Sequence, residues 1–309
     1  MTVSSQRSHR EEFTLPASTD VEVSSATVDS AFAGLTPQEI AQLDFSRLVG
    51  LVNEPNMPSG GGATVRRVLG LSRPRTGQPI LEVGSNTGHT SIEIASWVDA
   101  PVIGVDINPV STAFAAAKAV HYGIANVEFR LGTALDLPFA DATFGLVFCS
   151  NVTSFLPDHR RARDEYYRVL APRGVLAAVP IYYRRTPPEA LRNRVEEAIG
   201  ARLPITNRRY WLDLFAGDEA TLVANETYEY LRQSPQRIHD YVANVIAQPH
   251  LARQPAHLVE AVAARLRYFY ELFDENLAYA RYDIMLYRRD HPNPEPVLHL
   301  SRPVREGAA

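Results

Sequence analysis

An α/β fold, a buried parallel sheet covered by helices on both sides, is what three features of this 309-residue chain predict. Short runs rich in Val and Ile alternate with helical patterns from Gln78 to Val179. Those runs are apolar at successive positions, as strands buried on both faces must be. Two later strand-like runs, Thr221–Tyr230 and Tyr282–Arg288, flank about 50 residues of helical character.

The elements follow in order. Thr36-Pro37-Gln38-Glu39 offers a cap residue, a proline at the first helical position and an acid at the third, so a helix is expected to begin there. Two prolines and three consecutive glycines then rule out regular structure from Asn53 to Gly62, and a short helix is expected over about Ala63–Leu71. Strands are predicted at Ile80–Val83, Val102–Val105, Val127–Arg130, Gly145–Phe148 and Gly174–Val179. Helices are predicted between them at about Thr87–Trp97, Ser111–Tyr122 and Asp158–Leu170. Further helices are expected over about Pro188–Ala201 and from about Tyr210.

Composition removes several functions. Acidic residues outnumber basic ones 35 to 31, giving a net charge of −4 and no sequence-wide grip on nucleic acid or an anionic membrane. Lys118 is the only lysine, so no P-loop exists and a Schiff base could form nowhere else. Cys149 is the only cysteine, which excludes an intrachain disulfide and a Cys-based zinc site, and no metal is expected. No apolar run approaches the roughly 18 residues of a membrane span, and Met1–Glu12 lacks the apolar stretch of a signal peptide. A cytoplasmic protein is expected, with a homodimer as a possible assembly.

The chemistry concentrates in Ile80-Leu81-Glu82-Val83-Gly84-Ser85-Asn86-Thr87-Gly88-His89-Thr90. A strand runs into a glycine turn and a helix N-terminus, where backbone N–H groups and the helix dipole can receive an anionic group. The second strand ends at Asp106, placed to accept hydrogen bonds from the two hydroxyls of a ribose. The glycine spacing is not the G-x-G-x-x-G of a dinucleotide site.

Together with Gly132-Thr133-Ala134-Leu135-Asp136-Leu137-Pro138-Phe139 and Arg168-Val169-Leu170-Ala171-Pro172-Arg173-Gly174, this set resembles the class I S-adenosylmethionine-dependent methyltransferases over about Gln78–Val179. The resemblance implies a Rossmann-like, seven-stranded, mostly parallel sheet with its last strand antiparallel. A helical cap would be inserted between the last two strands. It implies S-adenosylmethionine as cofactor, with Glu82, Gly84 and Gly88 around its methionyl part and Ser85 and Asn86 also in the cofactor site. Asp106 would hold the ribose, Ile107 would lie against the adenine, Thr133 and Ala134 would meet the adenine edge, and Ser150 and Asn151 would face the sulfonium. Three positions depart from the family pattern. Asn86 replaces the middle glycine of the turn, Thr133 replaces an acid after the third strand, and Gly145 replaces an aspartate at the fourth. Asn tolerates left-handed backbone, so the turn is expected to survive.

Asn151, Tyr182 and Tyr183 are the candidate catalytic residues, at the carboxyl end of the sheet where such folds bind ligands. His89 reads either as a base beside the cofactor or as a solvated helix-terminal histidine. Asp158 and His159 read as a helix cap, and Cys149 as a small buried strand residue. Tyr210, Trp211, Phe269, Tyr270 and Phe273 read as core or as a lid over an apolar acceptor. The Ser59–Gly62 loop reads as a linker or a hinged lid. The arginine pairs 184–185, 208–209 and 288–289 read as surface, or as an anion site. The expected organisation is a flexible segment over 1–35, helices and a Gly-rich loop over 36–75, a cofactor-binding core over 76–232, a substrate-capping insertion over 233–280, and the last strand with a tail over 281–309.

The expected function is methyl transfer to a small-molecule metabolite or natural-product intermediate. A nucleic-acid acceptor is not expected, because Ser150-Asn151-Val152-Thr153 lacks the motif of base-amine DNA methyltransferases. Two alternatives stay open: an enzyme that cyclises or otherwise consumes S-adenosylmethionine without a methyl acceptor, and a non-catalytic S-adenosylmethionine-binding protein.

Overall fold

The computed structural model describes residues 32–217 and 220–290. The expectations for 1–31 and for the tail 291–309 lie outside the described residues. Five parallel strands build the centre: β1 (Ile80–Val83), β2 (Val102–Asp106), β3 (Val127–Leu131), β4 (Phe144–Ser150) and β5 (Leu170–Val179). A three-residue strand, β6 (Ile181–Tyr183), follows β5 after Pro180. The long strands β7 (Ala220–Glu229) and β8 (Ala280–Arg289) complete an eight-stranded sheet among the described residues. β8 runs antiparallel to β5 and β6 along one edge and to β7 along the other. The sheet thus exceeds the expected seven strands by β6, which is too short to carry a periodicity of its own.

Alternation in the strands explains the layers. Leu81, Val83, Val147, Cys149, Leu176, Ala178, Met285 and Tyr287 pack with Tyr166 and Trp211 on one face. Ile80, Leu146, Phe148, Val175, Ala177, Ile284 and Leu286 pack with Val65, Val68 and Ile94 on the other. Successive strand residues point to opposite faces, so both faces of these strands must be apolar. The covering helices are α3 (Gly62–Ser72) and α4 (His89–Trp97) on one face, and α6 (His159–Val169) and α8 (Arg208–Phe215) on the other. Each large side chain buried here contributes about 1.5–3 kcal/mol.

The remaining helices build a separate apolar cluster: α1 (Pro37–Gln42), α2 (Phe45–Leu51), α5 (Pro109–His121), α7 (Glu189–Ile199), α9 (Pro235–Ile246), α10 (Pro249–Ala252) and α11 (Ala256–Leu277). The capping box at Thr36 and Glu39 is present, but the helix it opens stops at Gln42. Asp44 accepts the Arg47 amide at 2.8 Å and caps a second helix, so the apolar run from Ile40 to Leu51 is two helices. Arg265 of α11 lies over the Phe269 ring at 4.4 Å and donates to the Leu43 carbonyl at 2.8 and 3.0 Å, clamping that joint to α11. The buried Glu54 carboxylate accepts the Tyr241 hydroxyl of α9 at 2.8 Å, tying the loop after α2 to the same helices. Burial raises the Glu54 pKa.

Candidate functional site

The turn after β1 owes its shape to backbone constraints. Gly84 sits at φ +81°, and a Cβ there would lie 2.9 Å from Val152, so only glycine fits. The Gly84 and Ser85 amides both donate to the Val105 carbonyl, at 2.8 and 3.0 Å, which locks the turn to β2. Asn86 takes the left-handed conformation, φ +45°, as its replacement of glycine requires. Its amide donates to Asp106 at 2.9 Å, and the Asn108 amide donates to the other carboxylate oxygen at 2.9 Å. The acid at the end of β2 is therefore aimed by the two turns that flank it. Burial raises its pKa, opposed by these donors.

A cavity of about 620 Å³ opens at the carboxyl ends of the parallel strands, within the ordinary size range of ligand sites. Glu82, Gly84, Asn86, Asp106, Ile107, Ala134 and Ser150 line one end, and Asn151, Tyr182 and Tyr183 also line the cavity. Ser85, Gly88 and Thr133 do not line it. Ser85 accepts the Gly88 amide at 2.8 Å within the turn, and Thr133 accepts the Leu135 amide at 3.3 Å within its own loop. Ile107 is 75% exposed, an apolar side chain left uncovered at the cavity mouth.

Glu82 is buried and accepts the Ser91 hydroxyl. Burial pushes its pKa up to about 8, with the Asp106 charge adding to the shift. Asn151 sits at φ +53°, and its side chain accepts the Ser154 hydroxyl at 2.8 Å. The Tyr182 hydroxyl donates to the fully buried Asp283 at 2.6 Å, and Arg208 donates to the other oxygen of Asp283 at 2.8 Å. The Tyr182 pKa is pushed up to about 12, first by burial and then by Asp283, so this hydroxyl stays protonated. Tyr183 donates to Asn276 of α11 at 3.1 Å.

Several ambiguous readings resolve. His89 is half-buried, its Nδ1 is shut from solvent, and burial pulls its pKa down to about 4, so it is not a solvated histidine; nor does it line the cavity. Asp158 caps α6 by accepting the Arg161 amide at 2.9 Å, while the His159 ring stacks on Trp211. Cys149 is buried and its thiol is pushed up to about 12. Phe269 is core, whereas Phe273, which packs edge-on against Phe45 at 4.9 Å, lines the cavity with it. Ser59 also lines the cavity; its hydroxyl pairs with Tyr230 at 2.5 Å, and its carbonyl accepts Thr64 at 2.6 Å. None of the three arginine pairs lines it. Met57, Phe45, Leu203 and Asn276 do, and no local motif marked them. The one available signal was Asn276, a polar residue in an otherwise apolar helical stripe.

Lys118 lies behind the turn, fully buried, with its ammonium donating to the Thr87 carbonyl at 3.0 Å. It does not line the cavity, so no Schiff-base chemistry runs through it. Burial pulls its pKa down to about 7. Above that value the folded chain has shed a proton that the unfolded chain holds to about pH 10, so folding stability rises with pH across this window. Lys118→Met keeps the aliphatic stem and removes the buried charge. It is expected to stabilise the fold by about 1–3 kcal/mol at pH 6.5, with the gain shrinking towards pH 9.5. Thermal melts at the two pH values check this.

Comparison with known proteins agrees with this geometry. Residues 81–178 match the model of a family described as Methyltransferase domain. Over 117 residues the chain is 35% identical to an arsenite methyltransferase of Halobacterium salinarum, a match covering 35% of this chain and 30% of that protein. Over 132 residues it is 31% identical to the nocamycin O-methyltransferase of Saccharothrix syringae, covering 42% and 47%. The chain thus spans less than half the length of these two relatives. Among solved structures, MccD superposes with a TM-score of 0.63 at 24% identity, covering 76% of this chain and 100% of that one. A geranyl diphosphate C-methyltransferase from Streptomyces coelicolor superposes with a TM-score of 0.52 at 14% identity, covering 74% and 77%. These superpositions are likenesses of fold. The strand order, the glycine turn locked to the second strand, the aimed aspartate and the matched segment agree: residues 81–178 form a methyltransferase domain.

Proposed function

We propose that this chain transfers a methyl group from S-adenosylmethionine to a small-molecule acceptor held under its helical cap. One observation carries the reading. Glu82 and Asp106, at the carboxyl ends of adjacent parallel strands, flank a turn that admits only glycine and open into one cavity. The residues fit the cofactor. Asp106 offers a carboxylate to the ribose hydroxyls, Ile107 an apolar surface to the adenine, and Glu82 a counter-charge to the amino group of the methionyl part. The bound sulfonium supplies an electrophilic methyl: the acceptor's lone pair takes it, the S–C bonding pair stays on sulfur in adenosylhomocysteine, and any proton on the acceptor atom is lost to water.

The chain's own residues position and shield. Phe45 and Phe273, packed edge-on at 4.9 Å, give the cavity an apolar wall. Tyr182 acts as a wall, its hydroxyl committed to Asp283. Asn151, held by Ser154 at the end of β4, orients the reacting centre. The relatives' acceptors do not transfer to this chain. Arsenite calls for soft thiolate partners, and the single thiol is buried with its proton. A diphosphate calls for cations, and among the described residues no Lys, Arg or His lines the cavity.

Calorimetry with adenosylhomocysteine tests the cofactor reading. Glu82 must give up its proton to meet a cationic amino group, so affinity is expected to weaken about tenfold per pH unit between pH 8 and pH 6. About one proton is released per ligand bound at pH 7. Absence of binding at millimolar ligand refutes the proposal. Mass spectrometry of products then separates transfer, which yields adenosylhomocysteine, from cyclisation of the cofactor, which yields methylthioadenosine.

A further inference from the structure

We infer that the acceptor is a neutral, predominantly apolar molecule that carries no phosphate, carboxylate or ammonium group into the cavity. This inference rests on the cofactor reading above and extends it to the other end of the same cavity. Beyond the motif residues the space continues among Phe45, Phe155, Leu156, Leu203, Trp211 and Phe273. Among the described residues its only ionisable Asp, Glu, Lys, Arg or His side chains are Glu82 and Asp106, both at the cofactor end.

Eight of the polar side chains that line the cavity are paired with one another. Ser59 bonds Tyr230 at 2.5 Å, Ser154 bonds Asn151 at 2.8 Å, Trp211 bonds Thr206 at 3.0 Å and Tyr183 bonds Asn276 at 3.1 Å. These side chains all line the cavity. A ligand entering here meets a surface whose hydrogen-bonding capacity is largely spent internally. A charged group would leave water for a wall with no counter-charge, and an unpaired buried charge is strongly disfavoured. An apolar body gains on every square ångström it buries. The nearby cations stand outside the lining, Arg192 among them, which acts electrostatically on Tyr183 without lining the cavity. Arg208 is held by Asp283, Arg209 by Asp213 at 2.7 Å, and Arg185 lies over the Tyr279 ring.

The test uses two probes that share a ring system and differ in charge. 1-N-phenylnaphthylamine is neutral; 8-anilinonaphthalene-1-sulfonate carries a sulfonate. The full chain is first titrated with adenosylhomocysteine, and each probe is then added to the saturated protein and followed by fluorescence. The neutral probe is expected to bind one per chain, at least about tenfold more tightly than the sulfonate. Phe155→Arg sets a cation at the acceptor end. Phe155 is 43% exposed, so the fold tolerates the change. In this variant the preference is expected to move at least about tenfold towards the sulfonate. Equal or tighter binding of the sulfonate by the unaltered chain overturns the inference. So does a preference that Phe155→Arg leaves unmoved, because a charge set in this wall then does not decide which molecule binds. The nucleoside titration is read separately, so a chain that fails to bind adenosylhomocysteine refutes the cofactor reading, not the charge preference.

Discussion

Asp106→Ala is expected to weaken adenosylhomocysteine binding by about 3 kcal/mol, roughly two orders of magnitude in Kd, since hydrogen bonds to a charged group contribute about 1.5–3 kcal/mol each. The carboxylate sits at the end of β2, where the amides of Asn86 and Asn108 each donate to one of its oxygens at 2.9 Å. That leaves lone pairs on both oxygens for the neighbouring hydroxyls of a ribose. The substitution also strips two amides of their acceptor, so a fall in melting temperature accompanies the loss of affinity. Asp106→Asn separates the two effects. Its amide oxygen still accepts from one turn but its charge is gone, so stability recovers further than affinity does. Calorimetry and a thermal melt on both variants read this. A weakening of less than about threefold in Asp106→Ala would show that the carboxylate only shapes the turn.

The parts of this site legible in the sequence are those built by local geometry. Gly84, Asn86 and Asp106 belong to a strand, a turn and the end of the next strand, and each conformation follows from its residue type: φ +81° at a glycine, φ +45° at an asparagine. The same locality explains why Ser85, Gly88 and Thr133 were named with the cofactor although none lines the cavity. Sequence shows that a turn exists but not which of its side chains face outward. The end of the cavity away from the glycine turn is assembled from segments far apart in the chain. Phe45 comes from α2, Leu203 from the loop after α7, and Phe273 and Asn276 from α11. No spacing rule joins such residues; tertiary packing does. His89 shows the opposite error, read locally as a candidate for solvent yet half-buried by elements that pack over the α4 N-terminus. β6 carries no sequence signal because three residues next to Pro180 hold no period, and the first helix stops at Gln42 because Asp44 caps a second one.

Gly88→Ala is expected to be the most damaging single methyl in the chain's core motif. Gly88 caps α4 at φ +79° and ψ 6°, where an L-residue costs about 1–2 kcal/mol. The added Cβ would lie 2.5 Å from the Ala115 Cβ and 2.6 Å from the tip of the Phe129 ring, both on elements that pack against the turn. Overpacking of this kind adds about 1–3 kcal/mol. The sum, about 2–5 kcal/mol, lowers the melting temperature by roughly 3–8 °C for a chain of this size. Gly77→Ala supplies the comparison. Gly77 also has a left-handed backbone, φ +75°, but a Cβ there meets nothing within 4 Å, so only the backbone cost of about 1–2 kcal/mol applies. The difference between the two variants isolates the steric cost. It also bears on function, because relief of the Gly88→Ala clash must shift α4 away from α5 and β3 and carry the turn at Gly84 with it. Adenosylhomocysteine affinity is therefore expected to fall in Gly88→Ala and to hold in Gly77→Ala. Equal melting temperatures for the two would mean that the close approach of Ala115 and Phe129 relaxes freely, and that the turn is not held by the packing behind it.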